Sequence, residues 1–221
     1  MLDLIVRGAR FGTHDGLRTA DIGIGAGRIA AIEPSLAADA PIVEVGGGLV
    51  VPGLVETHIH LDKTCILDRV TINEGTVHEA IRETAQAKRS FTAEDVYFRG
   101  RRTLEKSISH GVMHMRTHVE VDPGIGLQGF AGVRKLAREY AWAIDVQLCV
   151  FPQEGLINSP GTDALLVQAL RDGAARSTAS SRSRGTSTST STCISISPRR
   201  RMACRPSMSA ARPRNSAGAA A

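Results

Sequence analysis

The sequence predicts an α/β protein organised around a parallel sheet, with a small β module in front of it and a disordered tail behind. Three observations carry this. Between residues 51 and 174, apolar strand-like runs alternate with helix-period segments, the signature of successive βα units. Residues 1–50 hold only short period-two runs separated by glycine turns. Composition then breaks at residue 175: from there to the end lie nine arginines, no acidic residue and no aromatic residue.

The elements follow in order. Leu4–Gly8, Ala20–Ile24, Arg28–Ile32 and Pro41–Val45 read as strands of the front module, with Gly25-Ala26-Gly27 turning the second into the third. Leu49–His60 enters the first core strand. Thr76–Ser90 has helical spacing at Val77, Ala80, Ile81, Thr84 and Ala85. Thr92 is an N-cap with Glu94 and Asp95 in the first turn of a helix that Gly111 ends. Val112–Val121 is the second core strand, Leu127–Trp142 a helix, Ile144–Phe151 the third strand, and Thr162–Arg171 a helix with Thr162 at its N-cap. The core strands lack strict alternation, which fits a sheet covered on both faces. Three such units start a doubly wound sheet or a (β/α)8 barrel equally well, and the pattern leaves both open.

One motif carries chemistry. His58-Ile59-His60-Leu61-Asp62 closes the first core strand, and at period two both imidazoles project from the same face. Two imidazoles on one strand end can share a divalent metal, Zn or Fe; the plainer alternative is two ordinary strand histidines.

Val51–Asp62 resembles the first metal-binding strand of the amidohydrolase superfamily. Met115–Val121, Trp142–Gln147 and Phe151–Gly155 are similar to its cytosine deaminase branch and occur in that family's order. The resemblance runs from about residue 2 to 174 and selects the barrel: residues 51–174 would be the first three βα units of a metal-dependent (β/α)8 TIM barrel, and residues 1–50 part of a small β-sandwich formed by both chain ends. It implies that His58 and His60 ligate one divalent ion, which makes hydroxide available near neutral pH to attack the ring carbon bearing an amine and release ammonia. It also implies that Gln153 hydrogen-bonds a pyrimidine-like edge, since an amide offers donor and acceptor side by side. His118 would line the substrate pocket, or be a satisfied core histidine. Asp62 would orient a ligand histidine, or begin the loop turn. Gln153 itself has a plainer reading as a loop cap. Glu154 reads as structural, and Cys65 and Cys149 as small packing groups.

The family's remaining ligands, a histidine each from strands five and six and an aspartate from strand eight, have no counterpart here, nor does its acid–base carboxylate. All seven histidines lie between positions 14 and 118. Residues 175–221 cannot bury a core. Within them Thr186–Ser197 alternates strictly, and in a shifted frame those codons can encode an apolar/aspartate strand ending in histidine, similar to the family's fifth strand. The tail therefore reads as an out-of-frame continuation of an amidohydrolase gene, with a deletion or second error besides; the alternative is a genuine Ser/Arg tail.

Charge bears on partners. The formal net charge of +5 divides into a tail of nine arginines and a body, residues 1–174, holding 18 basic against 22 acidic side chains. The overall basicity is thus not a nucleic-acid footprint. A basic-tail binding protein, or a non-catalytic remnant, is the competing reading, although the tail lacks the aromatics that stack bases. The apolar stretch around Leu49–Val55 is too short to span a bilayer, no signal-peptide pattern opens the chain, and four scattered cysteines fit a reducing cytoplasm. The expected partner is a small cyclic amine or amide; oligomeric state is not legible.

Overall fold

The structure is a computed structural model describing residues 1–37, 39–180 and 191–194. Its front module is one four-stranded sheet of β1 (Leu4–Thr13), β2 (Gly16–Gly25), β3 (Arg28–Glu33) and β4 (Ile42–Glu44), in the order β3-β2-β1-β4. β1, β2 and β3 are antiparallel neighbours, and β4 runs parallel to β1. The hairpin arms extend beyond the apolar runs to Thr13 and back from Gly16, where φ is +116°. Polar residues such as Arg10 and Arg18 are exposed there and give no apolar alternation to read. Asp21 locks the module: its buried carboxylate accepts from the backbone N–H groups of Gly8 and Leu36, both at 3.0 Å, and from Arg7. Those hydrogen bonds hold its pKa below the ordinary value. Among the described residues this module is a single sheet; the second layer of the expected sandwich is not among them.

The core sheet joins β5 (Leu54–Ile59), β6 (Val112–Glu120), β7 (Asp145–Phe151) and β8 (Arg176–Ser180) as parallel neighbours in chain order. β9 (Ser191–Ile194) follows antiparallel to β8. The sheet therefore continues past residue 175, where the sequence expects the disordered tail to begin. The parallel edge of β7 provides the reason: Ala175 N–H donates to Leu148 C=O at 2.9 Å, and the chain runs on along that edge. The remainder of the tail lies outside the described residues.

The crossovers are α1 (Val77–Ala87) and α2 (Ala93–Ser109) between β5 and β6, α3 (Gln128–Glu139) before β7, and α4 (Thr162–Arg171) before β8. Thr76 and Thr92 cap α1 and α2 by accepting from Glu79 N–H (3.1 Å) and Asp95 N–H (3.2 Å). At α4 the N-cap is Gly161, with φ of +92°, and the Thr162 hydroxyl donates to Ser159 C=O instead. α3 stops at Glu139, so exposed Trp142 lies beyond it.

The apolar core cluster lies on the helix-covered side of the sheet, and on β7 Cys149 is buried on the other side as well. Met115, Thr117 and Val119 of β6 are buried, and the helices cover them with Leu104, Phe130, Val133 and Leu136. The alternate positions His114, Arg116 and His118 are exposed or half-buried. On β6 this corrects the expectation of two covered faces, whereas β7 buries the successive residues Leu148, Cys149 and Val150. β6 does alternate, and its second face is polar because it holds the groups described next.

Candidate metal centre and ring site

The His-X-His strand end is fastened by its own continuation. After His60 the chain makes a short 3-10 turn, Leu61–Lys63. Leu61 is fully buried and its N–H donates to Thr117 Oγ1 at 3.0 Å. The Arg99 guanidinium donates to the carbonyls of Asp62 (3.1 Å) and Thr64 (2.7 Å). Asp62 Oδ2 accepts from Glu120 N–H at 2.9 Å, tying the turn to the end of β6. The structure thus places Asp62 in a strand-to-strand clasp, and its Oδ1 is buried without a hydrogen bond rather than on an imidazole.

Three imidazoles meet where β5 and β6 end. His58 stacks on His118 with centroids 4.2 Å apart, and His60 lies 5.3 Å from His58 and 5.7 Å from His118. Phe151, at the end of β7, closes the edge 5.2 Å from His60. Nδ1 of His60 and Nδ1 of His118 are buried and have no hydrogen-bond partner, an arrangement that costs free energy unless something meets the nitrogen. Burial lowers the His60 pKa to about 4, helped by the Lys63 charge and the neighbouring imidazoles. Burial, with His58 and Arg116, lowers that of His118 as well. Both rings are therefore neutral near pH 7, the state a metal ligand requires.

A second cluster adjoins, and sequence reading missed it. Lys88 is 6% exposed. Its Nζ lies 2.6 Å from Asp122 Oδ2, 2.6 Å from Glu154 Oε1, and against Glu120 Oε1. Lys63 Nζ pairs with the other Glu120 oxygen, donates to Gln153 Oε1 at 3.3 Å and lies 5.0 Å from the Phe151 ring centre. Glu120, Asp122 and Glu154 bring their carboxylates close enough to hold a cation, but Lys88 already stands among them. Burial opposes the Lys88 charge; the hydrogen bonds to Asp122, Glu120 and Glu154 outweigh it and raise the pKa. The ammonium is thus the cation of that cluster, and the imidazoles are the better candidates for a metal.

Between α1 and the strand ends lies a cavity of about 230 Å3. Polar groups of His60, Lys63, Glu120 and Gln153 line one side. Ala80 and Ile81, on the apolar stripe of α1, line the other. The sequence-predicted His58, His60 and His118 are brought together, and Gln153 stands beside them through Lys63.

The model of the family described as "Amidohydrolase family" matches residues 42–144. The N-isopropylammelide isopropyl amidohydrolase of Pseudomonas sp. is 28% identical over 177 residues, 77% of this chain and 43% of that protein. The crystal structure of N-isopropylammelide isopropylaminohydrolase from Burkholderia multivorans aligns with a TM-score of 0.68 at 34% identity, over 80% of this chain and 44% of that one. The chain belongs to the amidohydrolase superfamily.

A further structure, 5-methylcytosine deaminase from Klebsiella pneumoniae, aligns with this chain at a TM-score of 0.70 and 32% identity, covering 77% of this chain and 42% of that chain. The chain thus spans less than half the length of the relatives it matches. No helix among the described residues is long and apolar enough to cross a membrane.

Proposed function

We propose that this chain carries the metal-binding strand end and part of the ring pocket of a hydrolase that cleaves a non-peptide C–N bond in a cyclic amidine, with cytosine the first candidate substrate and aminotriazines the next. The observation that carries the proposal is the meeting of His58, His60 and His118 at the C-terminal ends of parallel strands, with Nδ1 of His60 buried and without a partner, at the end where barrel enzymes place their chemistry. Relatives named for action on ammelide and methylcytosine support a planar nitrogen ring as substrate.

His58 and His60 would hold one Zn or Fe ion, whose contribution is hydroxide at neutral pH. The chain's own groups do the rest of what is assigned here. The clasp through Asp62, Thr117 and Arg99 fixes the backbone of the turn that follows His60 before any ligand arrives. Gln153 binds a polar edge of the ring, and His118 stacks at its border. Ala80 and Ile81 of α1 give the cavity an apolar margin. Location in the cytoplasm is part of the same proposal.

The test is metal titration by calorimetry on the full 221-residue chain, followed by cytosine binding to the loaded protein. We expect about one equivalent of Zn2+ or Fe2+, weakened on the order of 100-fold in His58→Ala and His60→Ala, by loss of one of few ligands. Cytosine should then bind, and Gln153→Ala should weaken it about tenfold. Equal metal binding by wild type and both histidine variants would overturn the metal assignment.

A further inference from the structure

We infer that His118 is a positioning residue for His58: it bonds no ion itself, and its ring face holds the His58 imidazole at the angle that lets it share an ion with His60. The inference rests on the proposed ligand role of His58 and His60 and says how the third imidazole of the cluster serves it.

Ring geometry divides the three histidines. An imidazole nitrogen offers its lone pair in the plane of the ring, so an ion shared by two of them must lie in both ring planes. His58 and His118 are stacked, with centroids 4.2 Å apart and planes 21° from parallel. Planes so nearly parallel at that separation do not cross within the roughly 2 Å reach of a zinc–nitrogen bond. His58 and His60 are inclined at 62° with centroids 5.3 Å apart, an angle at which two in-plane lone pairs can converge. Only one of the stacked pair can therefore join His60 on an ion. His58, two positions before His60 at the same strand end, is that one.

His58 needs such a partner. It is exposed, and it hydrogen-bonds through its backbone N–H, to Glu56 Oε1 at 2.8 Å. The angle of its ring is left to ring contacts. His118 is the firmer of the two. It lies inside β6 between Thr117 and Val119, both fully buried, and is in register with Cys149 of β7. Phe151 meets its ring at 78°, with centroids 6.3 Å apart. Thr117 also receives the Leu61 N–H at 3.0 Å, so the end of β5 and the His58 ring are both referred to one rigid strand. A stacked pair contributes beyond its buried area, and a ligand ring that is already aimed does not have to be ordered by the ion.

The test titrates Co2+, whose visible absorption band follows coordination number and ligand type, into the full 221-residue chain and its variants. His118→Leu keeps the volume without a flat face. It should bind Co2+ about tenfold more weakly than wild type, the low end of what losing an outer partner of a metal histidine costs, with an unchanged band. His118→Phe restores a flat ring without a nitrogen. It should bring the affinity back to within about threefold of wild type, again with the wild-type band. Should His118→Leu fail to fold, His118→Met takes its place. Binding by the leucine variant equal to that of the phenylalanine variant would reduce His118 to packing volume. Weak binding with an altered band in His118→Phe would make it a ligand. Either result overturns the positioning role and leaves the metal reading standing. No Co2+ binding by wild type, or equal binding by His58→Ala, overturns both.

Discussion

Lys88 holds three carboxylates on one nitrogen, and removing it would leave them facing one another with only Lys63 in reach. Breaking a buried charge network from one side costs far more than the network is worth as a whole. Lys88→Met should therefore lower unfolding free energy by about 3–5 kcal/mol, read as a drop in urea midpoint at unchanged slope. Asp122 gives the same network a pH signature. Burial works against its carboxylate, but the hydrogen bond from Lys88 outweighs this and lowers the pKa to about 2, against an ordinary value of 3.8. A depressed carboxylate pKa contributes stability that is complete above 3.8 and lost as pH falls through 2. Asp122→Asn should flatten the acid limb of the stability curve in that window, by about 1 kcal/mol once solvent screening is allowed for. An acid limb identical to wild type would remove Asp122 from the network. None of this was legible from sequence: a lysine at the end of an amphipathic helix reads as surface, and its three partners come from two strand ends 32 and more positions away. His58 and His60 were legible because a period of two puts neighbours on one face without any tertiary information. Whether His118 joined them depended on strand order, which no local pattern contains.

At the scale of elements, the cap of α2 and the strand cores could be read; the cap of α4, which is Gly161 and not Thr162, and the packing could not. Thr92 announces α2 through its own side chain, and the structure uses it. The close approach of α3 to α2 is set by Gly132, where an added Cβ would lie 2.4 Å from the Ala93 carbonyl oxygen and 3.1 Å from Val96 Cβ. The obstacle is backbone, so the helices must separate to admit even a methyl group. Gly132→Ala should lose about 1–3 kcal/mol despite alanine's better helix propensity, measurable by thermal denaturation. A more stable Gly132→Ala variant would show that propensity outweighs the contact. A glycine inside a helical pattern signals in sequence only that something comes close; that the something is the first turn of α2 is a tertiary fact. The β1–β2 arms show the converse case. They are held by backbone pairing from Leu4↔Ile24 to Thr13↔Gly16, and polar residues outside the apolar run carried no signal.

For the whole molecule, the deciding feature is that the core sheet is open among the described residues. Among the described residues, β5 pairs with β6 on one edge and with no strand on the other. Leu54 and Val55 on β5 are 52% and 62% exposed, and Met113 at the start of β6 is 53% exposed. A closed barrel removes such edges by pairing first strand with last. In this chain the matched share of each relative is under half, and the described sheet runs from β5 to β9 without returning. An apolar parallel edge with unpaired N–H and C=O groups is a template for another chain. A polypeptide of these 221 residues should therefore self-associate with rising concentration, seen as a shift to faster species in sedimentation velocity. Val55→Lys places a charge on the edge strand without touching the helix-packed face, so it should restore the monomer while leaving metal binding by His58 and His60 unchanged. A wild-type chain that stays monomeric at high concentration would mean the β5 edge is covered by other means, and the argument from the open sheet would fall with it. Association that survives Val55→Lys would shift the contact to the other exposed apolar positions, of which Trp142 at 82% is the largest side chain.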